Sequence, residues 1–246
     1  MSLLRSLAAV VCSMFFVSVA FAADNTPPEG YVALFNGKDL TGWRGLPLKE
    51  NPKAPEKPRA LTMPERLSFP AEELAAAQKL GDDFAKAHWK VVDGVIVFDG
   101  KGANLITDKD YGDFELYVDW KIEKDGDSGI YLRGSPQIQI WDPDLQKAKT
   151  GERIGSGGIY NNKNNPSAPT KVADKPIGEW NTFWIKMVGD KVTVKLNGET
   201  VVDDVTMENF WDKDRKTPIY PKGTIELQNH GNTLYFKNIY LKDLSK

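Results

Sequence analysis

The residues of this chain that could do chemistry concentrate between Phe114 and Asp142, with one outlier at His230. Apolar side chains recur at every second position: Phe114, Leu116, Val118, Trp120 and Ile122, then Ile130 and Leu132, then Ile138 and Ile140. A period of two puts such residues on one face of a strand. The other face then carries Glu115, Tyr117, Asp119, Tyr131, Arg133, Gln137, Gln139 and Trp141. Acids and amides can exchange hydrogen bonds with sugar hydroxyls, and aromatic rings can stack on sugar faces, so this surface reads as a sugar-binding floor. The competing reading is a solvated outer sheet surface, although Lys, Glu and Thr are commoner there than Gln, Tyr and Trp.

His230 is one of two histidines and follows the polar-sided run Thr224–Gln228, in phase with Glu226 and Gln228. An imidazole ordinarily titrates near neutrality, which makes His230 the leading acid–base candidate. A loop histidine that satisfies backbone groups is the alternative. Asp119 and Glu115 are further candidate bases, each open to a purely structural pairing. Tyr131 and Trp141 could stack on sugar rings or pack in place. Gln137, Gln139, Gln228 and Tyr160 complete the substrate-binding candidates, Tyr160 lying in a Gly- and Asn-rich stretch between Leu145 and Lys175. A loop of that length in a compact domain is usually functional. Asp142 is a turn cap or a ligand, and His88 is expected to anchor a helix end.

The elements that must position these residues are short. Asn36-Gly37, Asp93-Gly94, Gly189-Asp190 and Asn197-Gly198 punctuate alternating runs, which is the text of hairpins. Lys124-Asp125-Gly126-Asp127 reads as a reversal between two strands of the floor. Prolines at 47, 52, 55, 58, 64 and 70 predict a long loop from Arg44 to Pro70. One helix is expected from Ala71 to about Lys86, with Leu74, Ala77, Leu80 and Phe84 as its apolar stripe and Gly81 as its weak point. Loop and helix form an insertion, over about 44–88, that either covers a sheet edge or acts as a lid. Many short strands and a single helix imply an all-β sandwich in one domain over 23–246.

At the start, Arg5, the apolar stretch Leu7–Phe21 and Ala20-Phe21-Ala22 spell a cleavable leader over residues 1–22. It is too short for a membrane anchor, and a periplasmic or secreted protein is expected. The single cysteine, Cys12, falls within the leader, so disulfides, thiolate nucleophiles and cysteine metal sites are excluded from the mature chain. Lys plus Arg total 32 against 34 Asp plus Glu, a formal charge of -2, with no basic tract. A nucleic-acid partner is therefore not expected. Oxygen ligands with His230 could hold a divalent metal, but no HExxH, cysteine pair or calcium loop occurs. No cofactor is expected.

Phe35-Asn36-Gly37-Lys38-Asp39-Leu40-Thr41-Gly42-Trp43, Asp127-Ser128-Gly129-Ile130-Tyr131-Leu132-Arg133, Gln137-Ile138-Gln139-Ile140, Gly178-Glu179-Trp180-Asn181 and Leu227-Gln228-Asn229-His230-Gly231 occur in this order. Together they resemble the bacterial 3-keto-disaccharide hydrolase family, long described only as a domain of unknown function. The resemblance covers nearly all the chain beyond the leader except the insertion. It implies a concanavalin A-like jelly-roll sandwich with ligand on the concave sheet, and action on glycosides already oxidised at C3 by a separate sugar 3-dehydrogenase. It also implies proton abstraction at C2, β-elimination of the C1 aglycone and hydration, in which Arg133 and Gln228 would hold or polarise the ketone. Arg133 is equally open to a cross-strand ion pair with Glu115 or Asp119. Many relatives carry glutamate where this chain has Gln137, which cannot act as a base. Two other functions stay open: a non-catalytic carbohydrate-binding module, and a two-carboxylate glycosidase using Glu115, Asp119 or Glu226.

Overall fold

A computed structural model describes residues 24–54 and 57–245. The leader expected over 1–22, with Cys12, lies outside these residues. Two antiparallel sheets face each other as a jelly-roll sandwich. The larger runs β13 (Glu199–Thr206), β12 (Lys191–Leu196), β11 (Asn181–Val188), β8 (Phe114–Ile122), β15 (Thr233–Asp243), β6 (Val95–Asp99) and β5 (Trp89–Val92), with β1 (Val32–Ala33) paired to β15. The smaller runs β10 (Ser135–Trp141), β9 (Asp127–Leu132), β14 (Ile225–Leu227), β7 (Leu105–Thr107) and β2 (Trp43–Gly45).

The alternation read from the sequence forms the core. Phe114, Leu116, Val118, Trp120 and Ile122 line the inner face of the larger sheet, and Ile130, Leu132, Ile138 and Ile140 line that of the smaller. Burying each such side chain contributes about 1.5–3 kcal/mol. Asp93-Gly94 and Asn197-Gly198 turn with positive φ at both residues, the backbone that matches strand twist in a two-residue hairpin.

Three expectations are corrected. The turn at 124–127 does not fold β8 back onto β9. It carries the chain from the larger sheet to the smaller, so the two strands' polar faces point away from each other, on opposite outer surfaces of the sandwich. The segment 44–70 is not all loop: it holds the ribbon β3 (Leu48–Lys49) with β4 (Arg59–Ala60), and the helix α1 (Met63–Ser68). Proline permits this because Pro64 falls in the first helical turn, where no donor is needed. Among the described residues there are three helices rather than one, since α1 and α2 (Ala71–His88) are joined by α3 (Pro143–Thr150).

Helix α2 packs against β2, β3 and β5 and thereby covers the edges where both sheets end. Gly81 is a point of contact rather than a weak point. A Cβ there would stand 2.2 Å from the Leu46 carbonyl oxygen, and one at Gly45 would stand 1.9 Å from that of Gly81. At the far end of the helix, His88 Nδ1 meets the Asp99 carboxylate at 2.9 Å and ties it to β6.

Candidate active site

The outer face of the smaller sheet presents polar side chains in register. Trp141 lies opposite Asp127, and Gln139 opposite Gly129. Gln137 begins a row that continues through Tyr131, Glu226 and Ile106 to Arg44. Above the β10 end of this floor is a cavity of about 460 Å³, lined by Asp127, Gln137, Gln139, Trp141, Tyr160 and His230, and by Gln146, Lys149 and Thr150 of α3. Of the residues singled out in the sequence, it gathers Gln137, Gln139, Trp141, Tyr160 and His230.

A directional chain of hydrogen bonds runs across the floor. Gln139 Nε2 donates to Asp127 Oδ1 at 2.8 Å and to the carbonyls of Ser128 at 3.0 Å and Ile140 at 3.1 Å. Three acceptors around one nitrogen fix the orientation of that amide. Its oxygen must therefore accept, and it does so from Gln137 Nε2 at 2.6 Å. The Gln137 amide is fixed in turn, leaving its Oε1 buried without a partner. Gly129 makes room for it, because a Cβ there would meet the Gln137 amide at 2.8 Å. Gln137 is thus fixed as an acceptor in the lining of the cavity, its carbonyl buried and unpaired, which suits a hydroxyl and not a ketone.

Asp127 Oδ2 lies 3.8 Å from His230 Nδ1, within ion-pair reach, with the imidazole half-exposed and the carboxylate more enclosed. Trp141 donates from Nε1 to the carbonyls of Ile154 at 3.0 Å and Gly155 at 2.9 Å, and Tyr160 meets its ring edge-on at 5.8 Å between centroids. The two rings form an aromatic wall, with Tyr160 exposed. Tyr131 and Gln228 lie further along the floor, where Gln228 Nε2 donates to the Tyr131 hydroxyl at 3.3 Å. Burial, and then the Glu226 charge, push the Tyr131 phenol well above its usual range, so it stays protonated as a donor at neutral pH.

Three catalytic expectations are corrected by position. Glu115 and Asp119 belong to β8 on the outer face of the larger sheet. There Tyr31 donates to Glu115, while Thr182 and Asn238 donate to Asp119 at 2.6 and 2.7 Å. Arg133 points neither to the floor nor to those acids. The alternation breaks at the β9–β10 turn, where Arg133 and Gly134 take φ of 56° and 64°. Its guanidinium is buried against the carbonyls of Gly112 and Gly189, each at 2.8 Å, and Asp113 Oδ1 at 2.6 Å. It fastens the smaller sheet to the ends of β8 and β11.

Glu226 is sequestered too. Asn104 Nδ2 donates to it at 2.5 Å and Arg66 of α1 stands 3.7 Å away, while burial raises its carboxyl above the usual range. Asp142 caps α3, accepting from Asp144 N at 2.8 Å and also from Asp125 N at 3.0 Å. In the sequence Asp127 reads as a turn residue, and Gln146 and Lys149 go unmarked because 145–175 reads as loop. Asp142-Pro143 was the available signal, a capping side chain followed by proline at the first helical position. Among the described residues, no three His, Cys, Asp or Glu side chains converge as metal ligands would.

Comparison with known proteins adds a family. Residues 30–242 match the model of the 3-keto-alpha-glucoside-1,2-lyase-like domain. A Bacteroides thetaiotaomicron 3-keto-disaccharide hydrolase is 25% identical, over 88% of this chain and 79% of that protein. A crystal structure of a candidate glycosyl hydrolase from Parabacteroides distasonis superposes with a TM-score of 0.62 at 26% identity, over 91% of this chain and all of the other. A second from that organism gives 0.59 at 23% identity, over 94% and 95%, and supports the fold.

Proposed function

This chain belongs to the 3-keto-alpha-glucoside-1,2-lyase-like domain family, and on that premise we propose that it is a carbohydrate hydrolase that opens 3-keto-glycosides by elimination and hydration. The observation that supports this reading is one cavity holding the Asp127–His230 pair, the unpartnered Gln137 carbonyl and the Trp141–Tyr160 wall. The sugar stands against the wall, with a hydroxyl donating to Gln137 Oε1. His230, with the Asp127 carboxylate 3.8 Å away, removes the C2 proton, and the electron pair moves into the C3 carbonyl to give an enolate. Collapse of the enolate expels the C1 aglycone, which leaves with a proton. Water then adds to C1 of the enone as C2 takes a proton back. Lys149, a cation in the cavity lining, takes the oxyanion-stabilising role that Arg133 cannot reach.

A glycosidase with two carboxylates is less well supported. Glu115 and Asp119 face away from the cavity and Glu226 is buried and accepts from Asn104, which leaves Asp127 as the one carboxylate among the described residues of the lining. With the leader read as an export signal, the enzyme works in the periplasm or outside the cell, after a separate sugar 3-dehydrogenase.

The test is turnover of a chromogenic 3-keto-glucoside beside its unoxidised parent, with and without chelator. Release from the keto form alone, with deuterium entering C2 from heavy water, is the expected result. Release from the parent would mean ordinary glycosidase chemistry. Binding without release from either would mean a carbohydrate-binding module, and loss of release with chelator would bring a metal into the mechanism.

A further inference from the structure

The same sheet face holds a second cavity, of about 430 Å³, at its opposite end. Arg44 and Ile106 form part of its floor, in the row that starts at Gln137. Met63, Arg66 and Leu67 of α1 and Leu74 of α2 overhang it, and Thr224, Asp110 and Gln78 complete its polar lining. From β10 to β7 is three strand spacings, or about 14 Å, so this cavity is separate from the first.

Two polar groups in its lining lack partners. Thr224 is 5% exposed and its Oγ1 is buried without a hydrogen bond. The Arg66 side chain is 11% exposed and its Nε is likewise buried and unbonded. Among the described residues, its charged neighbour is Glu226 at 3.7 Å, beyond hydrogen-bond distance. A guanidinium carries five donors, and one this enclosed is ordinarily met by an anion. Burial raises the Glu226 carboxyl above its usual range, against the pull of Arg66. Arg44 adds a second guanidinium and Asp110 one carboxylate, so the lining is net positive. Beside these charges lie Met63, Leu67, Leu74 and Ile106, and Leu67 is 64% exposed for so large an apolar side chain.

We propose that this cavity is a second binding site, built by the insertion on the sheet, for a small organic carboxylate with an apolar body. The carboxylate pairs with the Arg66 fork, assisted by Thr224 and Arg44, and the body lies on the Met63–Leu67–Leu74 surface. Its volume falls within the usual range for small-molecule sites, roughly 300–1,000 Å³. The proposal is independent of the chemistry assigned to the first cavity.

The probe is 2-naphthoate, titrated into the full chain by calorimetry, with uncharged 2-naphthylmethanol alongside. The expected result is saturable one-to-one binding of the carboxylate. The alcohol should bind at least tenfold more weakly, Arg66→Gln should weaken the carboxylate at least tenfold, and His230→Ala should leave it unchanged. Arg44→Gln, on an exposed side chain, should weaken it severalfold even if Arg66→Gln impairs folding. No saturable binding, equal affinity for the alcohol, indifference to both arginine variants, or loss in His230→Ala would each overturn the proposal.

Discussion

Asp127 shows how much a single side chain's role depends on what surrounds it. One oxygen accepts from Gln139 and so sets the amide chain to Gln137, while the other faces His230. Asp127→Asn can keep the acceptor for Gln139 but loses the charge beside the imidazole. If His230 is the acid–base group, kcat on a 3-keto-glucoside should fall by about 10²–10⁴, the usual worth of that catalysis, with KM moved less than threefold. Steady-state kinetics measure this, and an unchanged kcat would remove the pair from the chemistry. Arg133 is the opposite case, a residue with a catalytic look and a structural position. Arg133→Met strips donors from the Gly112 and Gly189 carbonyls and the partner from the one-third-exposed Asp113, at a cost of about 1–3 kcal/mol for each carbonyl left unpaired. Urea unfolding should show that loss while turnover per folded molecule is kept; a selective loss of kcat would restore Arg133 to the mechanism.

Among the elements, α1 and α2 carry the clearest tests. Gly81→Ala on an exposed helix would gain about 1 kcal/mol. Here the new Cβ meets the Leu46 carbonyl at 2.2 Å, so the backbones must separate, and a net loss of about 1–3 kcal/mol is expected. A rise in melting temperature would show that helix and strand are not in such close contact. In α1, Glu65 bonds Arg59 and closes a capping box with Thr62, and these bonds hold its carboxyl at about 2. The folded value lies below the ordinary value of about 4.3. Its stabilisation is therefore complete above about pH 5 and is lost as pH falls through 4 towards 2. Amide protection in α1, taken relative to the unstructured rate at each pH, should fall over that window, and Glu65→Ala should remove the dependence. Protection that is flat with pH in the native chain would mean the box does not hold the helix.

For the whole molecule, the decisive feature is that β8 and β9 belong to different sheets. Glu115→Gln and Asp119→Asn should thus leave kcat and KM on the keto substrate within about twofold, as expected for surface changes remote from the cavity. A tenfold loss in either would contradict this separation of the faces. Sequence alone determined the sandwich, because alternation along each strand and Asn-Gly or Asp-Gly turns are local properties that burial only had to satisfy. It also determined most of one wall of the site: Gln137, Gln139 and Trp141 share one strand, and period two keeps them together. Tertiary structure alone decided which strands share a sheet, since a four-residue turn reads the same whether it closes a hairpin or crosses between layers. That choice removed Glu115 and Asp119 from the floor. Long-range placement brought Asp127 to His230, set α3 and Lys149 over the cavity, and turned Arg133 inward through a positive φ that no alternation pattern encodes.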